Sequence, residues 1–490
     1  MKRLSRDIRV SAILKGILFL PFSLLFFTQV TAQSQECFLI MVGPEASATG
    51  QVLLAHNNDL TGTEASMLVR VPAGDTMNIF PGAAPGYGPS YSMLILQTNK
   101  GFAEGDAVAV NEHGVAVAGG LSLKADRSRR AEEADPLVKG GLGGGIRYFA
   151  LQHARTAREC VRIIGECYDR YGIGYPSGVG IADAQEMWYL ESGGGHAWAA
   201  MRIPAGAFFV AANSYNLSRV DLSDTARYLC SQRLRQLAAS EGYDRQGLFP
   251  FARFFGGGHA RRYGDNRYNT LRLWRAALLL GSMHPATPGD TLPGHLHLPE
   301  HKITLQECFD VLRDHYQGTP YDLFSPANRS HPPRAIADRR CVHTDVITLT
   351  PGLPASYGAV LWTGLSTPLT AVYIPVFFGV DAIPRGYERA PDHYDALSAF
   401  WVFKKLTDLS WEHYPSLMKQ WQAQRKEFER KELSLMPTLT RQAAIIARND
   451  PQELEKYLGR QTQQFAREAL RMATEQIHDL ETSPKRAAAH

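Results

Sequence analysis

Cys37-Phe-Leu-Ile-Met-Val-Gly43 is followed by Pro44–Gly50 and then by Val52-Leu-Leu-Ala-His-Asn-Asn-Asp59. Two apolar runs around a turn-forming segment rich in Pro, Ser, Thr and Gly read as an antiparallel hairpin. If Gly43 faces Gly50, cross-strand partners sum to 93. Cys37 then stands opposite His56, with Asn57, Asn58 and Asp59 just beyond the strand end. One hairpin therefore gathers a thiol, an imidazole, two amides and a carboxylate. A cysteine opening an apolar strand is by itself more often a small core residue, and His-Asn-Asn-Asp is by itself as often a polar loop leaving a sheet.

Working outward, the same pattern recurs. Val108–Val110 and Val115–Ala118 flank Asn111-Glu112-His113-Gly114. Met187–Leu190, Ala197–Ile203 and Phe208–Ala211 form a meander, as do Ser356–Thr363 and Thr370–Val376. Thr156-Ala-Arg-Glu159 reads as a capping box opening an amphipathic helix through Tyr168. Asn269–Leu280 and Leu305–Tyr316 are further helical stretches. Hairpins outnumber strand–helix alternation, which predicts an α+β fold of two antiparallel sheets with helices outside. Gly140–Gly145 lacks the Gly-Lys-Ser/Thr ending of a phosphate loop and reads as a turn.

Upstream, Lys2, Arg3, Arg6, Arg9 and Lys15 precede the apolar run Ile17–Val30, which ends at Val30-Thr31-Ala32. This is the pattern of a signal peptide cut after Ala32. The run is short for a membrane span, so residues 1–32 are expected to leave, and stable membrane insertion is not expected. Lipidation of Cys37 is disfavoured because Glu36, not a small residue, precedes it. The segment carries five basic residues and one acidic residue, a net +4 that equals the formal charge of the whole chain. The remainder is near neutral, which removes the electrostatic case for nucleic acid or anionic lipid. The expected destination is the periplasm or the exterior.

Downstream of about Pro391 the composition turns charged, helical and nearly free of Gly, with Pro415, Pro437 and Pro451 expected to mark breaks. The resulting division is a signal peptide over 1–32, a short propeptide over 33–36, a catalytic domain over 37–390 and a helical extension over 391–490. The extension reads as an appendage packed on the catalytic domain. A dimerisation arm is its alternative, so homo-oligomerisation stays open. Six cysteines are too few for a disulfide framework. Cys160 and Cys167, about 10 Å apart along a helix, cannot bridge each other. No CxxC or HExxH motif occurs, and His295, His297 and His301 sit in a polar, Pro- and Gly-flanked segment. No metal and no cofactor are expected.

A cysteine shortly after a signal-peptidase site has one chemical use that an internal cysteine lacks. Cutting Glu36–Cys37 frees an α-amine beside the thiol, with a pKa near 8, so one residue supplies nucleophile and base. At this point the chain resembles the N-terminal-nucleophile (Ntn) cysteine dipeptidases, of which dipeptidase A of lactic acid bacteria is typical. The resemblance covers most of residues 37–380. It is carried by the Cys37–Gly43 and Ala55–Asp59 segments and by Asn111-Glu-His-Gly-Val-Ala-Val117. Thr156–Glu159, Glu191-Ser-Gly-Gly-Gly-His-Ala-Trp198, Ala211-Ala-Asn-Ser214 and Arg313-Asp-His-Tyr-Gln-Gly-Thr-Pro-Tyr-Asp322 add to it. His343-Thr344 and Gly358-Ala-Val-Leu-Trp362 complete the series.

The resemblance implies a four-layer αββα sandwich and metal-free hydrolysis of dipeptides or short peptides. Cys37 matches the nucleophile, Asp59 the acid that contacts its amine, and Asn213 the amide donor to the tetrahedral oxyanion. The wider superfamily usually has Arg where this chain has His56 and commonly Thr where it has Phe38, which leaves His56 as a weaker or pH-dependent support. Glu191 and His196 fall near the expected cleft edge, as candidates for the ends of the substrate or for structural roles. Two other readings remain: an Ntn amidase acting on acyl amides, as penicillin V and bile-salt acylases do, and a non-catalytic exported binding protein.

Overall fold

All eight residues of Val52–Asp59 are buried, the polar ones at its end included. A strand is buried along its whole length only where both faces are covered. The computed structural model describes residues 36–75, 79–80, 86–101, 108–243, 247–256, 268–283 and 296–482. The expected signal peptide over 1–32, residues 33–35 of the expected propeptide and His295 lie outside them.

The chain opens with β1 (Glu36–Val42), β2 (Val52–Asp59), β3 (Ser66–Val71), β4 (Met93–Thr98), β5 (Val108–Asn111) and β6 (Ala116–Ser122). Helices α1 (Arg129–Ala134), α2 (Ile146–His153) and α3 (Ala157–Tyr171) follow. Next come β7 (Ser177–Ala182), β8 (Met187–Gly194), β9 (Ala197–Ile203) and β10 (Phe208–Ala211). The short strands β11 (Val220–Asp221), β12 (Tyr228–Cys230), β13 (Leu248–Phe249) and β14 (Leu296–His297) alternate with helices. Those helices are α4 (Gln232–Ser240), α5 (Phe251–Gly256) and α6 (Asn269–Leu279). Then α7 (Leu305–Leu312) leads to β15 (Cys341–Leu349), and α8 (Ala355–Gly358) to β16 (Ala359–Leu365) and β17 (Ile374–Phe377). Four helices close the described chain: α9 (Ala399–Ser410), α10 (Tyr414–Leu417), α11 (Lys419–Asn449) and α12 (Pro451–Thr482).

The strands form two large antiparallel sheets, ordered β14-β10-β1-β2-β15-β16-β17 and β12-β9-β8-β7-β6-β5-β4-β3. The sheets meet face to face. A Cβ on Gly180 of β7 would press into Leu39, Met41 and Leu54 of β1 and β2, so glycine permits the close approach. Helices α2 and α3 cover the far face of the second sheet with Phe149, Val161, Ile164 and Tyr168. Helices α6, α7, α9, α11 and α12 cover the far face of the first. This is the αββα sandwich, an α+β architecture.

Local expectations hold with informative departures. Thr156 caps α3 by accepting from the Glu159 N–H, but the Glu159 carboxylate bonds the N–H of Arg155 rather than that of Thr156. The full reciprocal box is made by Thr304 and Glu307 at α7. The helix expected over Leu305–Tyr316 stops at Leu312, because the chain then turns through Tyr316 at positive φ. The strand expected from Ser356 begins with the single turn α8, and β2 runs four residues longer than its apolar part. The β1–β2 register sums to 95, so Cys37 faces Asn58, and His56 faces Leu39. Gly43 is not a hairpin partner of Gly50, because its N–H bonds Ala207 and a Cβ there would overlap the Ala205 carbonyl. Pro437 does not break the extension. It lies inside the 31-residue α11, where the loss of one intrahelical bond is outweighed by packing along the helix.

The C-terminal helices share one compact unit with the sandwich. Their tie is Glu429 of α11, fully buried, which takes both terminal nitrogens of Arg313 and the N–H of Tyr373. Removing one partner of a buried ion pair strands the other charge away from water. Glu429→Ala is therefore expected to lose about 3 kcal/mol or more of unfolding free energy. Denaturant titration checks this, and a loss under about 1 kcal/mol would show that Arg313 has found another partner.

Candidate functional site

Strand alternation sorts the end of β2 into two faces. Cys37, Leu39 and Met41 share the inner face with Leu54, His56 and Asn58, while Asn57 and Asp59 point outward. Asn57 Nδ2 donates to the carbonyls of Leu312 and Ile336 on the helical side.

On the inner face a buried polar chain starts at the thiol. Cys37 Sγ lies 3.6 Å from Asn58 Oδ1, and Asn58 Nδ2 lies 3.0 Å from His343 Nε2. His343 Nδ1 is 3.1 Å from Asp345 Oδ1, which His56 Nδ1 also approaches at 3.4 Å. Neighbouring positions on β2 and β15 pair Asn58 with His343 and His56 with Asp345, so sheet register alone brings the four together. Burial pushes the His56 pKa down against the pull of Asp345. His56 is thus placed one pair away from the sulfur, as a neutral partner of Asp345. Its Nε2, Asp345 Oδ2 and Thr363 Oγ1 have no partner among the described residues. His56, His343 and Asp345 are also the one group among those residues compact enough to share a metal ion. Their facing atoms already satisfy one another by hydrogen bonds. His297 and His301 form no such group: His297 bonds Ser282, and His301 bonds Glu307.

On the outer face Asp59, fully buried, is held by Arg334, which also pairs with Asp338. Asp59 faces Glu36 across the ladder, at the peptide bond preceding Cys37. Its other cross-strand partner, Cys341, has its thiol pushed well up by burial and by the Asp59 charge. No disulfide joins the cysteines among the described residues.

Strand β10 lies on the other side of β1, with Leu39 opposite Ala211. Continuing that register by two residues sets Asn213 beside Cys37. Arg272 of α6, fully buried, clamps this corner. It donates to the Cys37 carbonyl at 3.1 Å, to Asn213 Oδ1 at 3.2 Å and to Asn269 Oδ1 at 2.7 Å. With its oxygen held by a guanidinium, the Asn213 amide turns its donor end the other way. The segment after Asn213 is fixed by Glu191. That carboxylate accepts from Tyr189 Oη at 2.9 Å, Asn216 Nδ2 at 3.1 Å, the Leu217 N–H at 3.0 Å and the Asn216 N–H. Burial pushes its pKa up to about 7 in spite of these donors. His196 sits at the β8–β9 turn, with Nδ1 on the Tyr168 carbonyl at 3.0 Å and its N–H on Asp135.

A cavity of about 1250 Å³ opens on the outer side. Tyr268, Arg329, Arg334, Arg339 and Trp411 are among its walls, so the guanidinium that holds Asp59 also lines a space large enough for a small peptide. Arg272, Arg334 and Asp345 were not singled out from the sequence, and Asn58 and His343 stood out there only within the polar cluster and as a landmark of the resemblance. Asn269 and Arg272, three apart on the buried face of an amphipathic helix, were the one local signal available.

Comparison with known proteins returns a consistent set. The family model described as "Peptidase family C69" matches residues 36–427. A "Probable dipeptidase" of Salmonella dublin is 30% identical over 372 residues, covering 72% of this chain and 84% of the relative. A "Probable dipeptidase B" of Lactococcus lactis subsp. lactis is 27% identical over 396 residues, covering 75% and 79%. A "Dipeptidase" of Bifidobacterium longum is 26% identical over 407 residues, covering 75% of each.

The Glu191 contacts predict a stability phenotype. Glu191→Gln sets an amide NH2 against the Leu217 N–H or, in its other orientation, against the Asn216 N–H, which costs about 2 kcal/mol for a buried unpaired donor. Thermal or denaturant unfolding reads this. An unchanged stability with a raised KM would make Glu191 a substrate contact instead.

Proposed function

The chain belongs to peptidase family C69, and from that premise we propose that it is an exported dipeptidase whose nucleophile is Cys37, released as the N-terminal residue. The dipeptidase names of its relatives support the substrate class. The observation that carries the catalytic reading is the convergence on one backbone position of Asn58, the Asn213–Arg272 pair and the Asp59–Arg334 pair. The basic and apolar character of residues 1–32 supports export.

While Glu36 is attached, the nitrogen of Cys37 is an amide and no base. Attack of the thiol on the Glu36 carbonyl, followed by hydrolysis, would free the amine. In the mature enzyme that amine takes the thiol proton and Sγ attacks the scissile carbonyl. The amine then passes the proton to the leaving amino acid as the thioester forms. Water, deprotonated by the same amine, releases the second product. Asn213 Nδ2 would donate to the oxyanion, with Arg272 fixing which end of the amide faces the reaction. Asp59, kept in place by Arg334, would orient the ammonium form of the amine.

Wild-type mature protein is expected to begin at Cys37, and Cys37→Ala to be folded, inactive and still joined to Glu36. N-terminal sequencing decides, since a fully active enzyme beginning at Gln33 would exclude an N-terminal nucleophile. Dipeptide hydrolysis should be abolished by thiol alkylation and indifferent to EDTA; activity lost in EDTA and restored by Zn²⁺ would sink the cysteine mechanism. Asn213→Ala should lower kcat about a hundredfold with little change in KM. A near-normal kcat would leave Asn213 a purely structural role.

A further inference from the structure

The Asn58 amide stands between two groups that control what it presents. Oδ1 is 3.6 Å from Cys37 Sγ, and Nδ2 is 3.0 Å from His343 Nε2. Half a turn of the amide exchanges oxygen and nitrogen and leaves both distances unchanged. The proton on the imidazole therefore selects the arrangement. Asp345 Oδ1 is 3.1 Å from Nδ1 of His343, so Nδ1 carries a hydrogen and a neutral His343 has a bare Nε2. A bare Nε2 accepts from Nδ2, which leaves Oδ1 towards the sulfur. An oxygen there accepts from a thiol and opposes a thiolate. A second proton on Nε2 reverses this: Nε2–H donates to Oδ1, and Nδ2–H turns to the sulfur.

Resting on the reading of Cys37 as nucleophile, we propose that His343 is a positioning residue that acts on Cys37 through Asn58, its protonation turning the amide so that an N–H supports the thiolate. The surroundings assign this to His343 rather than His56. Asp345 lies on its own strand, His56 and Asn58 on β2, Thr363 and Leu365 on β16, and Cys341 gives Sγ–H to the His343 carbonyl at 3.0 Å. Arg147, from α2, bears on His56 and opposes its charge. His56 faces Leu39, so a proton gained there reaches no group in contact with the sulfur. The buried Asp345 carboxylate stands at hydrogen-bond distance from His343 Nδ1, on the side of the ring away from Asn58.

The experiment is the pH profile of kcat/KM for dipeptide hydrolysis by the full-length expressed, processed enzyme, in wild type, His343→Gln and Asn58→Leu. The glutamine of the first variant keeps a polar atom in reach of Asn58 but cannot gain a proton. The expected result is that both variants lose about tenfold more activity relative to wild type near pH 5.5 than near pH 8, the worth of a charge-assisted hydrogen bond. If either variant lowers kcat/KM by one factor at every pH, the coupling is overturned. Should one variant fail to fold, the other decides alone. If hydrolysis survives Cys37→Ala, the nucleophile assignment fails. The coupling is then read from the pH dependence of Cys37 alkylation by iodoacetamide, located by peptide mass mapping. A profile identical in wild type and His343→Gln would overturn it there too.

Discussion

The pairing of β1 between β10 and β2 is the constraint on which the site depends. It sets Cys37 beside Asn58 on one side and, by continuation, beside Asn213 on the other. Strand side chains alternate with period two, so a slip of one residue would turn Cys37 from the inter-sheet face to the helical face and exchange Asn58 for its neighbours. Leu39, Met41 and Leu54, wedged on Gly180, hold the register by filling the inner layer. The hydrophobic sandwich thus fixes the polar chemistry: apolar side chains two and four positions away decide where the thiol points.

The polar groups within this core are expensive, and the structure shows how the cost is met. Asp345, His343 and His56 share one carboxylate oxygen. Asp59 has Arg334, and Arg272 spans the Cys37 carbonyl, Asn213 and Asn269. Each of these buried charges has a partner across a strand, from a helix or from the segment that leads into β15, so the site is held from both sides. Three inner-face atoms, His56 Nε2, Asp345 Oδ2 and Thr363 Oγ1, remain unsatisfied among the described residues. They lie where an arginine, expected at position 56 by resemblance, gives way to a shorter imidazole.

The layers of the fold were legible because strand and helix periods are local. The Cys37–Val42 and Phe208–Ala211 runs, the Thr156 cap and the charged C-terminal helices can each be read from a dozen residues. The register was misplaced by two because Gly43 serves a tertiary contact with Ala205 that no local pattern reveals. The parity survived, so the correct face was read with the wrong partner. Asn213 and the role expected of Asp59 came from resemblance, while the hairpin itself placed Asp59 near the thiol. His343, Asp345 and Arg334 lie about three hundred residues from the thiol in sequence and reach it only through sheet order. Pro437 misled because a proline's cost is local while the packing that absorbs it is not.

The Arg313–Glu429 pair has a further meaning in the order of synthesis. Arg313 is made well before the carboxylate that neutralises it. A chain interrupted anywhere before residue 429 would have to close its first sheet over a guanidinium that keeps the Pro368 and Ala371 carbonyls but lacks its counter-charge. The sandwich is therefore expected to reach its full stability only once the chain has been made as far as α11.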